Sequence, residues 1–284
     1  MALVDDLILV AKTRDEEDAG TDNQHNLTVT IDGVDFFNLD FPFGGGQGDG
    51  LGRGETGYQE NDFLGALGPT PWWVATPFES NDLTQSSIRL GIRGDDAWAP
   101  QHVLLIGRVP PEWSPGRSVP LAIETDLANW LSTDPDEGHL TMRMRLVGQG
   151  NGATLIRRVL LVVYTSRQDN ADTESDVQLQ IAAGGSIVLT HKVTHGFGRG
   201  KAYLHFLDVD TPFTRDDIES DGIDLSILGA DAWLPGAIFV FGLDTESGRP
   251  NEMVTLVAIR SWGLGWLSTD DDEGKSSVPL PLSI

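Results

Sequence analysis

The chain has 284 residues, no cysteine and a formal net charge of −24 at pH 7. At about 100–200 residues per domain this length predicts two domains, and the absence of cysteine excludes disulfides, thiolate zinc sites and a cysteine nucleophile. The chain has 43 acidic and 19 basic residues. This acidic excess argues against binding to nucleic acid, and it favours metal ions or basic proteins as partners.

The first predicted element is a strand within residues 1–12, MALVDDLILVAK. Asp5 and Asp6 precede its main apolar run, and no basic segment leads it, so it differs from a signal peptide. No stretch of the chain approaches the roughly 18 apolar residues that a membrane span needs. The sequence therefore predicts a soluble protein without a transmembrane segment, with the cytoplasm as the default compartment.

Short runs of alternating apolar and polar residues follow along the whole chain, with turn residues between them, and they predict strands. In the first half the predicted strands are 7–12, 26–31, 87–91, 102–108, 119–124 and 140–146. In the second half they are 159–165, 177–182, 186–191, 201–207, 223–228, 237–242, 253–260 and 278–282. No run shows an amphipathic helical stripe of three turns, so we predict an all-β fold of two consecutive antiparallel β-sandwiches.

Three sequence blocks occur twice in the same order. WLSTDPDEG at 130–138 returns as WLSTDDDEG at 266–274, with eight of nine positions identical, and IRLGIRGDDAWAP at 88–100 returns as IDLSILGADAWLP at 223–235. A looser match joins 8–29 to 160–181. The repeat predicts an internal duplication, with domains at 1–147 and 155–284 and a short glycine-rich linker at 148–154.

The first copy has extra residues. The offset between the copies falls from 152 at the first block to 135 at the second, which predicts an insertion of 17 residues within about 34–87. This stretch holds the glycine-rich run 44–54, expected to be a surface loop, and the pair Trp72 and Trp73. The two tryptophans are expected either to cover the core of their own domain or to contact a partner.

These blocks carry a family resemblance. The AGTD run at 19–22, the Asp-x-Trp turn at Asp96 and Trp98, and the closing WL-x-x-D-x-x-x-G segment resemble the PLAT (lipoxygenase-homology) domain. The resemblance implies an eight-stranded β-sandwich about the size of each copy. It also implies a non-catalytic domain that docks onto membranes, lipids or protein partners, in several members with calcium at one end.

The resemblance also implies a set of calcium ligands in two loops. In the first copy these are Asp18, Gly20, Asp22, Asp95 and Asp96; in the second they are Asn170, Asp172, Glu174 and Asp231, with Ala230 in place of Asp95. Calcium takes six to eight oxygens, and crowded carboxylates repel one another unless a cation neutralises them. The second site is therefore expected to be the weaker. The alternative is that these side chains form solvated Asx turns.

Four further tryptophans belong to the repeated blocks. Trp98 and Trp233 follow the candidate ligands, and we expect them either at the edge of the core or in contact with a membrane or partner. Trp130 and Trp266 are expected to close the sandwich. The acidic residues after Trp130 are expected to be solvated.

The sequence contains no nucleophile elbow, H-E-x-x-H motif or P-loop, so we predict no catalytic activity. The expected function is that of a non-catalytic, calcium-assisted binding protein that docks to a lipid surface or a protein partner. Two alternatives stay open: a structural subunit of a larger protein particle, and accessory domains of a lipid-acting enzyme.

Overall fold

The computed structural model describes residues 3–21, 24–31, 34–41, 51–60, 78–109, 117–194 and 196–283. The fold is all-β with several antiparallel sheets, and this part of the chain contains no α-helix. It accordingly offers no long apolar helix of the kind that crosses a membrane. The chain divides into two compact units, which we call unit 1 (Met1–Val147) and unit 2 (Gly148–Ile284).

The described residues of unit 1 form two antiparallel sheets and one short strand pair. Its strands are β1 (Leu3–Val4), β2 (Asp6–Thr13), β3 (Gln24–Ile31), β4 (Val34–Phe41), β5 (Thr56–Glu60), β6 (Phe78–Glu79), β7 (Ile88–Arg93), β8 (Pro100–Arg108), β9 (Ser118–Glu124) and β10 (Thr141–Arg143). The strand orders are β5-β2-β8-β9 and β10-β7-β3-β4, and β1 pairs with β6. Because successive side chains of a strand point to opposite faces, alternate residues such as Leu7 and Leu9 of β2 join Leu27 of β3 and Leu90 of β7 in one buried cluster.

Unit 2 is built in the same way. Its strands are β11 (Gly148–Gln149), β12 (Leu155–Thr165), β13 (Val177–Ala183), β14 (Ser186–Val193), β15 (Ala202–Thr214), β16 (Ile218–Ile227), β17 (Pro235–Leu243), β18 (Glu252–Ile259) and β19 (Ser277–Pro279). Within the unit the strand orders are β11-β18-β17-β12-β15 and β14-β13-β16-β19. Its core cluster again draws on both sheets, with Leu179 of β13, Leu225 of β16 and Val240 of β17.

The strand order of unit 2 repeats that of unit 1. β15-β12-β17-β18 matches β5-β2-β8-β9, and β14-β13-β16-β19 matches β4-β3-β7-β10. Strands β4 and β5 fall within 34–87, the stretch predicted to hold the 17 extra residues, and both have a counterpart in unit 2. Only part of that stretch is therefore extra, and the rest belongs to the framework that both units share.

Equivalent strands and hydrogen bonds of the two units show in which parts of the sequence the 17 extra residues lie. The hairpins β3–β4 and β13–β14 match at an offset of 152, from Val34 and Ser186. The amides of Thr13 and Thr165 donate to the carbonyls of Glu55 and Lys201, which match at an offset of 146. The offset of 135 returns at Ile88 and Ile223. Six extra residues therefore lie between Phe41 and Leu51, and eleven lie between Glu60 and Ile88.

Residues 148–154, expected as a linker, bond to unit 2. Gly148–Gln149 pairs with β18 in parallel, the Gly150 amide donates to the Met253 carbonyl at 2.9 Å, and the Thr154 hydroxyl donates to Glu252 Oε2 at 3.0 Å. A glycine-rich segment suits this position, because a Cβ on Gly150 would lie 2.5 Å from a methyl group of Val254.

Candidate functional site

Three loops meet at one end of each unit. We call residues 14–21, 94–99 and 130–139 the loop cluster of unit 1, and residues 166–176, 229–234 and 266–275 the loop cluster of unit 2. In unit 1 the Ala99 amide donates to the Ala19 carbonyl at 3.0 Å, and in unit 2 the Leu234 amide donates to the Ala171 carbonyl at 3.1 Å. The two loops predicted to hold calcium are thus adjacent in both units.

Trp98 and Trp233 hold the third loop against the other two. Each exchanges two backbone hydrogen bonds, of 2.8 to 2.9 Å, with the leucine of the closing segment, Leu131 or Leu267. Both indoles are fully buried. Their Nε1–H groups donate to the hydroxyls of Thr13 (3.0 Å) and Thr165 (3.2 Å). Of the two alternatives expected for these tryptophans, contact with a membrane or partner is therefore wrong. Both side chains lie in the core, and the indole N–H of each has a hydrogen-bond partner.

The closing segment is a self-bonded loop with the same network in both units. In unit 2 the Ser268 hydroxyl donates to Glu273 Oε2 at 3.2 Å and accepts from the Asp270 amide at 3.0 Å. The Thr269 hydroxyl reaches the Gly229 carbonyl at 2.8 Å. The same bonds are present in unit 1, where they are made by Ser132, Thr133, Asp134 and Glu137. The near-identity of the two segments is therefore accounted for by loop closure.

The first loop contains one left-handed residue in each unit. Asp18 has a φ of 59° and Asn170 a φ of 61°, a conformation that Asp and Asn tolerate better than most residues. Both side chains are exposed, as are those of Asp172 and Glu174. Gly20, predicted as a carbonyl ligand, has a packing role: a Cβ there would lie 2.9 Å from the carbonyl oxygen of Leu51.

The aspartate of the second loop caps backbone amides. Asp96 Oδ1 accepts from the Ala97 amide, and Asp231 Oδ1 from the Ala232 amide, both at 3.0 Å. Asp231 Oδ2 also accepts from the Glu174 amide at 3.0 Å, so this carboxylate joins the two loops of unit 2. Asp95 is exposed. Asp231 thus accepts one backbone amide from its own loop and one from the neighbouring loop, an arrangement that differs from an Asx turn.

Among the described residues, no group of three or more His, Asp or Glu side chains lies close enough together to hold a metal ion. Asp22, one of the five candidate ligands of unit 1, lies outside these residues, as do Trp72 and Trp73. The calcium sites in both units therefore stay predictions.

An open cavity of about 500 Å³ lies in the loop cluster of unit 2. Its lining consists of Asn170, Ala230, Asp231, Ala232, Trp266 and Glu273. Asn170 and Asp231 were candidate ligands, and Trp266 was expected to close the sandwich. Glu273 is the counterpart of Glu137 in unit 1, which was expected to be solvated. The cavity thus combines a half-buried aromatic ring with two carboxylates.

Unit 1 differs at the ring equivalent to Trp266. The guanidinium of Arg14 lies over the Trp130 ring, 5.3 Å from its centroid. It also forms an ion pair of 2.7 Å with Glu16 and donates to the Ala128 carbonyl at 3.3 Å. The counterpart of Arg14 in unit 2 is Ser166, because their amides donate to the equivalent carbonyls of Ala99 and Leu234.

Comparisons of the chain with protein-family models, with curated proteins and with solved structures found no match.

Proposed function

We propose that the chain is a non-catalytic docking protein made of two β-sandwiches that arose by duplication, and that it binds protein partners through its loop clusters. The duplication is supported by the shared strand order and by equivalent hydrogen bonds at Trp98 and Trp233. The resemblance to PLAT domains supports the same assignment, since that family docks without catalysing a reaction.

The observation that carries the proposal is the cavity of unit 2. It opens where the two predicted loops and the closing segment meet, and a buried tryptophan with a satisfied indole fixes that junction. Binding residues are often held on loops by a rigid β framework of this kind. Tryptophan is among the residue types that are enriched in the cores of protein–protein interfaces, and Trp266 lies in the lining of this cavity.

Charge favours a protein partner over a lipid surface. The net charge of −24 repels anionic lipid headgroups, and two carboxylates line the cavity itself. A basic protein surface is attracted by the same charge. We propose that calcium, when bound, is held mainly in unit 1, because its candidate ligands include four carboxylates (Asp18, Asp22, Asp95 and Asp96), whereas those of unit 2 include three (Asp172, Glu174 and Asp231).

The test is selection from a displayed library of random peptides. The wild type is compared with Ala230→Trp, which fills the cavity from an exposed position, and with Thr190→Trp on the exposed side of β14. We expect the wild type and Thr190→Trp to enrich the same sequences, and Ala230→Trp to lose them. Equal enrichment by all three proteins would contradict docking through the loop cluster.

A liposome flotation experiment covers the lipid alternative. Vesicles of phosphatidylcholine, with and without phosphatidylserine, are mixed with the full chain in calcium and in chelator. We expect the protein to remain in the dense fraction under all four conditions. Flotation with the anionic vesicles in calcium would replace the proposed protein partner by a membrane.

A further inference from the structure

We propose that the cavity at Trp266 binds an arginine side chain of the partner, with the guanidinium stacked on the indole and facing the carboxylates of Asp231 and Glu273. This inference rests on the proposed docking function, and it adds the chemical identity of the group that is recognised.

Unit 1 shows the same contact made within the chain. There the Arg14 guanidinium covers the ring of Trp130, the counterpart of Trp266, at 5.3 Å from its centroid. Guanidinium groups stack favourably on tryptophan faces, because the ring quadrupole attracts the cation and both groups are planar. The closing segment of this fold can therefore seat an arginine on its tryptophan.

Unit 2 has the aromatic ring but not the internal arginine. Ser166 stands at the position of Arg14, and its short side chain accepts the Gln168 amide at 3.1 Å. Two arginines near this loop are engaged elsewhere: Arg167 donates to the Tyr164 hydroxyl at 2.8 Å, and Arg199 pairs with Asp169 at 2.5 Å. Among the described residues, Arg14 lies over Trp130 and Arg158 lies over Phe206, and neither of these rings belongs to the cavity of unit 2.

The lining of the cavity suits a guanidinium better than a metal ion. Calcium requires six to eight oxygen ligands, whereas here the carboxylates share the cavity with an indole ring and two alanines. Glu273 uses Oε2 to accept the Ser268 hydroxyl, which orients its carboxylate. A guanidinium presents five donors in a plane and can satisfy such an acceptor while its face lies on the ring.

The experiment is a titration of the full chain, in chelator, with the peptide acetyl-Gly-Gly-Arg-Gly-Gly-amide, followed by calorimetry and by the indole N–H signals in NMR spectra. The matched control peptide carries citrulline, which has nearly the same shape but no charge. We expect the arginine peptide to bind about tenfold more tightly or better, as a cation–π contact and a charged hydrogen bond together allow, and to shift one indole signal.

Substitutions then locate the site. Ser166→Arg supplies unit 2 with its own arginine, as in unit 1, and should abolish binding, whereas Arg14→Ser should expose Trp130 and add a second site. Glu273→Gln should weaken binding by about tenfold, and Asp210→Asn on β15, which changes the net charge equally, should leave it unchanged. If Ser166→Arg does not fold, the comparison of Glu273→Gln with Asp210→Asn decides whether the peptide binds in this cavity.

Four outcomes would overturn the inference: no binding, equal binding of the citrulline peptide, binding unaffected by both Ser166→Arg and Glu273→Gln, or displacement of the peptide by calcium, which would make the cavity a metal site. These outcomes are separable from failure of the docking function. Suppose that the library selects peptides that bind the wild type but not Ala230→Trp, and that these peptides bind equally well after their arginine is replaced by citrulline. This result would overturn the arginine site and leave the docking function standing.

Discussion

Identical residues in the two units serve closure of the loops more than contact with a ligand. Gly138 and Gly274 follow the acidic run of the closing segment, and a Cβ on them would lie 2.6 and 2.3 Å from the carbonyl oxygens of Trp130 and Trp266. The sequence marks such positions by repetition. Repetition alone does not distinguish packing from binding, because both forbid substitution, and this is why the sequence left two alternatives open for Trp98 and Trp233, of which the position in the core is observed.

Gly274→Ala should destabilise unit 2 by about 1–3 kcal/mol, the usual cost of forcing a methyl group into occupied space. The methyl group would meet backbone atoms of Trp266, which cannot move as a flexible side chain can. The matched control is Gly263→Ala, where a Cβ meets nothing within 4 Å. Thermal melts should show a loss of several degrees for the first variant, and an equal melting temperature for both would refute this role of Gly274.

His191 on β14 should make stability depend on pH. Burial lowers its pKa below the ordinary 6.5, against an opposing attraction from Asp208. Because the folded state then binds the proton less readily than the unfolded state, stability is lost as the pH falls from 6.5 through the lowered pKa. His191→Gln should melt with a shallower pH dependence in that window than His139→Gln, its exposed control. Identical slopes would show that His191 has no such effect.

At the scale of elements, alternation of apolar and polar residues in the sequence predicted the strands. β13 alternates buried and half-buried residues along its whole length, and its prediction differed from the observed bounds by one residue. β4 was not predicted as part of the shared framework, since it has no residue in common with β14 at matching positions. β4 is held in place by backbone hydrogen bonds to β3. Such pairing does not require identical side chains in the two copies, so a comparison of their sequences does not detect it.

The hairpin between β13 and β14 depends on two glycines with positive φ. Gly184 and Gly185 have φ values of 59° and 75°, and a Cβ on either would meet nothing within 4 Å, so any cost of substitution comes from the backbone alone. A two-residue hairpin loop of this kind favours Gly and Asn. Gly185→Ala should cost about 1 kcal/mol and Gly185→Asn clearly less, as measured by denaturant unfolding. Equal losses would argue against backbone strain.

At the scale of the whole molecule, the sequence predicted the all-β class and the two-fold repetition of blocks, because both are written in periodicity and identity. The cavity of unit 2 was not predicted. Its lining comes from three loops distant in sequence, and two of its members, Trp266 and Glu273, are also parts of a closure network. Only the fold brings these loops together.

The molecule as a whole should be more stable in calcium than in chelator, chiefly through unit 1. Asp18, Asp95 and Asp96 lie in its loop cluster, and Asp22 follows Asp18 four residues later in the sequence. A cation that binds only the folded state adds about 2.7 kcal/mol at a hundredfold excess over its Kd, or several degrees of melting temperature.

The net charge of −24 means that any salt reduces self-repulsion, so the reference buffer must contain magnesium at the same ionic strength. Magnesium demands a smaller, octahedral site and should be a poor substitute. Asp96→Asn should remove most of the difference between calcium and magnesium. Asp231→Asn should leave it nearly intact, although it lowers stability in both buffers, because Asp231 caps the amides of Ala232 and Glu174. Equal melting of the wild type in calcium and magnesium would show that these aspartates act as solvated turns, and it would leave the fold and the proposed arginine site unaffected.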